Sequence, residues 1–143
     1  MRLPATTDAG KPGTTIGTTA AKGELSFVMT TEIIRDAIPR ARLAGLAAVQ
    51  FGDMVKAVVD VDRNVMAIGG ELHSDEEAAL LDDGSAQASL WGINLYPEES
   101  GDAWIEFDSM INVRPAQGNR SRTIEDSALR ERIRSIVTRL VEA

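Results

Sequence analysis

The chain has 143 residues, of which 43% are hydrophobic and 26% are charged, and these values fit one globular domain with one hydrophobic core. It contains no cysteine, which excludes disulfides, thiolate catalysis and cysteine-ligated zinc. No apolar run reaches the roughly 18 residues of a membrane helix, and the N-terminus lacks the basic patch and apolar core of a signal peptide. We therefore expect a cytoplasmic protein with no membrane partner.

The net charge of -7 is unevenly distributed along the chain. From Asp60 to Asp108, 13 acidic residues stand against one arginine, which gives -12, whereas 7 arginines against 4 acids give +3 from Ser109 to Ala143. Either the two segments neutralise each other in the fold, which we favour, or one of them meets a charged partner. The acidic segment disfavours nucleic-acid binding as the main activity, because it would repel a phosphate backbone.

Residues 1–28 are rich in Thr, Ala and Gly and show little hydrophobic periodicity. They bury too little apolar surface to offset the entropy of ordering, so we predict a flexible tail. The alternative is that translation begins at Met29, since the codons for Lys22 to Glu24 can spell a purine-rich ribosome-binding sequence. Residues 29–143 are predicted to form a single domain.

The first half of that domain is predicted to contain a strand, a helix and a hairpin. Residues 32–38 carry strand-like apolar pairs, and Pro39 then suits the first turn of a helix that ends near Phe51. Two alternating segments, residues 55–61 and 66–72, flank a polar turn and predict a β-hairpin.

The second half continues with a short helix, two strands and a long helix. Ser74 and Glu77 have the spacing of a capping box, which predicts a helix that ends near Gly84. Residues 90–96 and 103–111 are predicted as strands, and residues 125–141 carry an apolar stripe at helical spacing. The prediction is an α+β fold: a mainly antiparallel sheet of four to five strands, packed on one face by two to three helices.

A divalent-cation site is predicted on the polar face of this sheet. If the apolar alternates face the core, Glu71 and His73 share one strand face, and so do Glu106 and Asp108. Carboxylates with one imidazole suit Mg²⁺, Mn²⁺, Ca²⁺ or Zn²⁺. The alternative is that these acids are ordinary solvated side chains and that His73 merely precedes the Ser74 cap.

Ligand contacts are predicted on the same face and in the loop that follows the last strand. Asn94, Tyr96 and Trp104 lie on the polar face by the same alternation. Residues 114–122 supply amide and guanidinium donors that suit a carboxylate or phosphate; these are Arg114, Gln117, Asn119, Arg120 and Arg122. The loop either binds a small anion or pairs with the acidic face as a pinned lid.

Four segments of the chain resemble an uncharacterised family of short bacterial and archaeal proteins, classed as a domain of unknown function. They are Phe51 to Asp60, Ile68 to His73, Leu90 to Pro97 and Ile105 to Arg122. The resemblance spans about Gln50 to Val141. It implies no activity and no catalytic residue, and residues 1–28 lie outside it.

Three functions fit these observations. The leading hypothesis is a small domain that binds a divalent cation, a small anionic ligand, or both, on the polar face. The enzymatic alternative is a metal-assisted phosphoester hydrolase, in which the ion activates water and the arginines hold the substrate. The third is a non-enzymatic module that binds a protein partner or forms a homodimer. Serine or cysteine triads have no local support in the sequence.

Overall fold

The computed structural model describes residues 30–143, so the predicted tail, residues 1–28, lies outside the described residues. The helices and strands follow in the order β1 (Glu32–Ile34), β2 (Ile38–Pro39), α1 (Arg40–Val49), β3 (Val55–Asp60), β4 (Val65–Ile68), α2 (His73–Asp82), β5 (Leu90–Leu95), β6 (Ile105–Glu106), α3 (Ser127–Leu140) and β7 (Val141–Glu142). No helix of the described part is long and apolar enough to cross a membrane.

Five strands form one sheet in the order β1-β4-β3-β5-β6, and every neighbouring pair is antiparallel. This confirms the predicted α+β class and the mainly antiparallel sheet. A separate two-stranded parallel pair joins β2 to β7, with Ile38 opposite Val141. The start of α1 and the end of α3 therefore lie side by side.

The predicted alternation of the central strands is confirmed. Val55, Ala57 and Val59 of β3 belong to one core with Ile93 and Leu95 of β5. Leu43 of α1 and Ile133, Val137 and Leu140 of α3 complete that core. Asp126 starts α3, because its carboxylate accepts hydrogen bonds from the N–H groups of Ala128 at 2.9 Å and Leu129 at 3.4 Å.

The opposite face of the sheet is covered in part by α2, so the prediction of helices on one face is wrong. Leu80 of α2 packs with Val58, Ala67 and Leu90 in a second apolar cluster. The three strand residues alternate with those that face the first core. They are apolar or small, so α2 can bury its apolar side chains against them.

The predicted extension of β4 to Leu72 is also wrong. The strand ends at Ile68, and Gly69 then has a φ of 90°, which reverses the chain direction. Glu71 and His73 therefore do not lie on a strand face, since His73 is the first residue of α2. The cap differs as well: Leu72 is the N-cap, without a side-chain hydrogen bond, and Ser74 lies inside the helix.

The last predicted strand is shorter than residues 103–111. β6 contains only Ile105 and Glu106, and Asp108 then forms an isolated bridge with Thr123. Ser109 caps a short 3-10 turn at residues 110–112. The chain after β6 is therefore held by isolated backbone bonds, such as that from the Ser109 N–H to the Arg122 carbonyl, and by side chains, rather than by a continuous strand pair.

Candidate functional site

A cavity of about 410 Å³ opens on the sheet face that carries α2. Ligand pockets in proteins span about 300–1,000 Å³, so this cavity can take a small molecule. We call it the polar cavity, and its polar wall is formed by Lys56, His73, Ser74, Asn94, Ser109 and Arg122. Its residues come from β3, the start of α2, β5 and the chain that follows β6.

A row of three polar side chains crosses the sheet beside this cavity. Lys56 on β3 is paired with Asn94 on β5, and Asn94 is paired with Glu106 on β6. Directly paired residues of neighbouring strands point to the same face, so the pleat brings the three side chains together. The row lies on the face opposite the α1 and α3 core.

Lys56 supplies an ammonium group whose charge acts on the buried Glu76 as well as on His73. It is partly buried, and within residues 30–143 it forms no ion pair. Its Nζ lies 5.3 Å from the centre of the Phe51 ring. A cation that is partly removed from water and has no counter-ion attracts an anion more strongly than a fully solvated one does.

The first turn of α2 adds backbone donors to the same wall. The N–H groups of Asp75 and Glu76 bond the carbonyl of Leu72, at 3.1 and 3.4 Å. The N–H groups of His73 and Ser74 have no hydrogen-bond acceptor in the described part of the chain. Such free donors, with the partial positive charge of a helix N-terminus, favour an anion.

His73 enters the cavity wall as a neutral imidazole. Its Nε2 lies 2.8 Å from the carbonyl oxygen of Ile93, which can only accept, so Nε2 carries the hydrogen. Burial lowers the pKa of His73, and Lys56 lowers it further, although the Ile93 contact, Asp108 and Asn94 act in the opposite sense. The ring is therefore neutral at pH 7, and Nδ1 is left as an acceptor.

Asn94 is buried with only 7% of its surface exposed, and its amide is oriented by two bonds. Nδ2 donates to the Glu106 carboxylate at 2.9 Å and to the Asp108 carbonyl at 3.2 Å, which uses both amide hydrogens. The oxygen Oδ1 is buried and has no hydrogen-bond partner within residues 30–143. A buried acceptor without a partner costs about 1–3 kcal/mol, so a fold selected for stability alone would not keep it.

The carboxylates near the cavity are engaged by other side chains. Glu106 accepts from Asn94 and from the Tyr96 hydroxyl at 3.1 Å. Burial raises the pKa of Tyr96, and the neighbouring Glu106 adds to this. Asp108 accepts two bonds from Arg122, at 3.1 and 2.9 Å, and this contact raises the pKa of Arg122.

Residues 32–140 match the sequence profile of a family described as a protein of unknown function, DUF5674. The chain belongs to this family. The match confirms the resemblance found in the sequence and extends it toward the N-terminus to include β1 and α1. No curated protein and no solved structure gives a significant match. Membership in DUF5674 identifies no activity, so the polar cavity is the feature that bears on function.

The four predicted metal ligands of this DUF5674 member are distributed over different elements. Glu71 is exposed in the bend before α2, His73 begins α2, Glu106 lies on β6 and Asp108 follows it. Within residues 30–143, no group of three or more His, Asp or Glu side chains is arranged to hold a metal ion. The cation site therefore stays a prediction without a preformed ligand set in the described part of the chain.

Arg114 is used entirely within the fold. It donates to the carbonyl oxygens of Ile111 at 2.9 Å, Gln87 at 3.0 Å and Leu90. Its guanidinium lies 4.7 Å from the centre of the Trp91 ring, and burial lowers its pKa. These contacts hold the loop to the protein through backbone carbonyl oxygens and the Trp91 ring, whereas the pinned-lid alternative invokes the acidic side chains of the polar face.

The side chains of two other predicted loop donors also bond backbone groups of the protein, and a third is exposed. Gln117 donates to the carbonyl of Ala88 at 3.1 Å. Asn119 is buried, and its amide bonds backbone groups of Asn112, Ser121, Thr123 and Glu125. Arg120 has an exposed side chain outside the cavity wall. Of the five predicted loop donors, only Arg122 lines the polar cavity.

Trp104 lies outside the polar cavity as well. The guanidinium of Arg40 stacks on it at 3.7 Å and donates to the carbonyl oxygens of Pro97 and Glu99. The sequence-based ligand set also omitted Lys56 and Ser109. Strand alternation of residues 55–61 places Lys56 on the polar face, so the signal is present in the sequence, whereas no pattern marks Ser109.

Proposed function

We propose that the domain binds a small ligand with an anionic group in the polar cavity. The observation that carries this proposal is the meeting of the unpaired Lys56 ammonium with the free N–H groups of His73 and Ser74 on one cavity wall. Helix N-termini and lysine ammonium groups are two of the commonest ways in which proteins hold anions.

The unpartnered oxygen of Asn94 supports the same location independently. It belongs to a residue that lines the cavity and that is held rigidly by Glu106 and Asp108. A buried polar atom that the fold leaves unsatisfied is typical of a binding site, where stability is given up for recognition.

Arg122 gives the cavity a second cation, which is shared with Asp108. Its Nε and Nη2 atoms bind the carboxylate, whereas Nη1 has no hydrogen-bond partner among residues 30–143. An incoming anion can bind this nitrogen without breaking the Arg122 pair. The ligand would thus lie between Lys56 on one side and Arg122 on the other.

The other predicted functions remain hypotheses beside this one. A divalent cation at Glu71, His73, Glu106 and Asp108, and the hydrolase built on it, require Asp108 to exchange Arg122 for the metal. A protein-interaction module or homodimer would use exposed apolar side chains such as Leu72 and Met110. The cytoplasmic location rests on the sequence alone.

Isothermal titration tests the proposal with acetate, succinate and inorganic phosphate as probes. We expect at least one of them to bind the wild type and to lose about tenfold or more in affinity with Lys56→Met, which corresponds to about 1.4 kcal/mol. Arg120→Met removes an equal charge outside the cavity and serves as the matched control. Absence of binding by all three probes, or equal affinity with Lys56→Met, would contradict the proposal.

The same instrument separates the alternatives. Titration with Mg²⁺, Mn²⁺, Ca²⁺ and Zn²⁺ on the wild type and on Glu106→Gln tests the cation hypothesis. If metal binds, turnover of a generic phosphodiester distinguishes a hydrolase from a binder. Light scattering over a range of protein concentrations tests the homodimer.

A further inference from the structure

We infer that the anionic ligand of the polar cavity also carries a hydroxyl group, and that Nδ1 of His73 accepts a hydrogen bond from that hydroxyl. This inference rests on the proposed function, because it describes the second half of the same ligand. It assigns His73 a role as a hydrogen-bond acceptor in binding rather than as a metal ligand or a cation.

The geometry of His73 fixes which of its nitrogens can bind a ligand. Nε2 is held at the Ile93 carbonyl, 2.8 Å away, so it cannot turn toward the cavity without losing that bond. Nδ1 has no hydrogen-bond partner in the described part of the chain, and it is not among the buried unpartnered atoms. His73 lines the cavity, so its free nitrogen is an accessible acceptor that only a donor can satisfy.

Asn94, the neighbouring polar side chain of this wall, does not supply the donor that Nδ1 lacks. Its two amide hydrogens are both committed to Glu106 and Asp108, and only its oxygen remains. Asn94 lies close enough to the imidazole to raise the pKa of His73, although its oxygen forms no hydrogen bond of acceptable geometry. Asn94 therefore has no amide hydrogen left to donate to Nδ1 of His73.

The polar cavity therefore has two chemically distinct parts. Lys56 and the first N–H groups of α2 offer donors and positive charge, whereas His73 Nδ1 offers an acceptor. A plain carboxylate or phosphate satisfies only the first part. A ligand that satisfies both needs an anionic group and a hydrogen-bond donor.

The charge of Lys56 decides which donor is suited. Lys56 and His73 line the same cavity, so an ammonium group on a ligand that binds His73 would lie close to a like charge. A neutral hydroxyl avoids that repulsion and still donates to Nδ1. The class of ligand that results is a small hydroxylated acid.

Three probes of almost equal size test this directly. Succinate has no donor between its carboxylates, malate has a hydroxyl, and aspartate has an ammonium group. With wild-type protein we expect malate to bind about tenfold more tightly than succinate, the value of one hydrogen bond to an unpartnered acceptor, and aspartate to bind more weakly than malate. The smaller series of propionate, lactate and alanine repeats the comparison.

The chain contains one histidine, so a ¹⁵N spectrum of its imidazole reports on His73 alone. We expect the Nε2–H tautomer in the free protein and a shift of the Nδ1 resonance with malate but not with succinate. His73→Phe keeps a ring of similar shape without the acceptor, and it should bind malate and succinate equally. Lys56→Met should weaken both probes and leave their ratio unchanged.

The outcomes distinguish the two proposals. Equal affinity of the wild type for malate and succinate, or an Nδ1 resonance that malate does not move, would overturn the hydroxyl inference and leave the proposed function intact. Tighter binding of aspartate than of malate would replace the hydroxyl with an ammonium donor and so overturn the inference too. Absence of binding by all six probes and by acetate and phosphate would overturn both. If His73→Phe does not fold, the wild-type comparison and the spectrum still decide.

Discussion

Asn112 hydrogen-bonds both backbone polar groups of Gly92, accepting from its N–H at 2.8 Å and donating to its carbonyl at 2.9 Å. It thus occupies the place that a neighbouring strand would have, beyond the point where β6 ends. The same amide donates to the carbonyl of Arg122 at 3.1 Å. One buried side chain therefore joins β5 to the loop that forms part of the polar cavity.

We expect Asn112→Ala to lower the free energy of unfolding by about 3 kcal/mol, because it leaves the N–H and C=O of Gly92 buried without partners. Denaturant unfolding measures the change. Gln117→Ala also removes an amide that bonds a backbone carbonyl, but at an exposed position, and should cost less than about 1 kcal/mol. Equal losses for the two variants would show that Asn112 does not have this role.

Gly92→Ala should destabilise the protein by about 1–3 kcal/mol through overpacking. A Cβ at this position would lie 2.5 Å from the Cβ of Ser109, a buried residue of the cavity wall. Gly45→Ala is the matched control: it lies in α1 with no atom within 4 Å of the added Cβ, and should stabilise by about 0.5–1 kcal/mol. Thermal unfolding of both variants checks the opposite signs. Combination with Ser109→Gly should recover part of the loss at Gly92.

Glu76 should make stability depend on pH in an unusual direction. Burial raises its pKa well above the ordinary value of 4.5, against the lowering effect of the Gly70 N–H, which bonds its Oε2 at 3.0 Å. The unfolded chain ionises first as pH rises, so the stabilisation is complete below 4.5 and is lost between 4.5 and the raised value. Glu76→Gln removes this dependence.

We therefore expect the stability of Glu76→Gln relative to the wild type to increase as pH rises from 4.5 toward neutrality. Denaturant unfolding at a series of pH values measures this difference, and Glu71→Gln, at an exposed position, is the control for the loss of one carboxylate. A difference that stays constant over the whole range would mean that the pKa of Glu76 is not raised in the folded protein.

Arg114→Lys should destabilise the protein by about 2 kcal/mol, since lysine cannot reach three carbonyl oxygens at once or stack in the same way on Trp91. Arg120→Lys, in the same loop but exposed, should have little effect. Anion affinity measured on folded Arg114→Lys should equal that of the wild type. A selective loss of anion binding without a loss of stability would instead assign Arg114 to the ligand site.

Asp108→Asn should raise the affinity for an anionic probe several-fold, because it removes a carboxylate near the polar cavity and releases Arg122. Asp82→Asn changes the net charge equally at the far end of α2 and serves as the control. Titration with succinate at low and at high salt measures the effect, which should shrink as salt rises. Lower affinity in Asp108→Asn would show that Asp108 positions Arg122 for the anion.

Periodicity predicted the elements whose burial follows a simple repeat. The hairpin of β3 and β4, strand β5 and helix α3 have apolar side chains at strand or helix spacing. The end of β4 was missed because Gly69 and Gly70 turn the chain where Glu76 is buried, and an added Cβ at Gly70 would lie 2.8 Å from Glu76 Cγ. This is a tertiary contact, so no local pattern in the sequence predicts it.

The site was predicted in part for the same reason. Strand alternation places Asn94 and Lys56 on one face, and the structure brings both to one cavity. The roles of Arg114 and Asn119 depend on which carbonyl oxygens lie within reach, and that follows from the path of the chain after β6. A loop rich in hydrogen-bond donors has the same kind of sequence whether the donors bind a ligand or the protein itself, so the sequence alone does not distinguish these two roles.

The parallel pairing of β2 with β7 bears on how the domain should be delimited. Val141 is buried and lies opposite Ile38, yet the family match stops one residue earlier, at residue 140. In a fragment trimmed to the matched region, β2 would lose the strand with which it pairs in the two-stranded sheet. The pairing that holds the start of α1 beside the end of α3 would be lost with it. The structural unit thus extends beyond the stretch by which the family is detected.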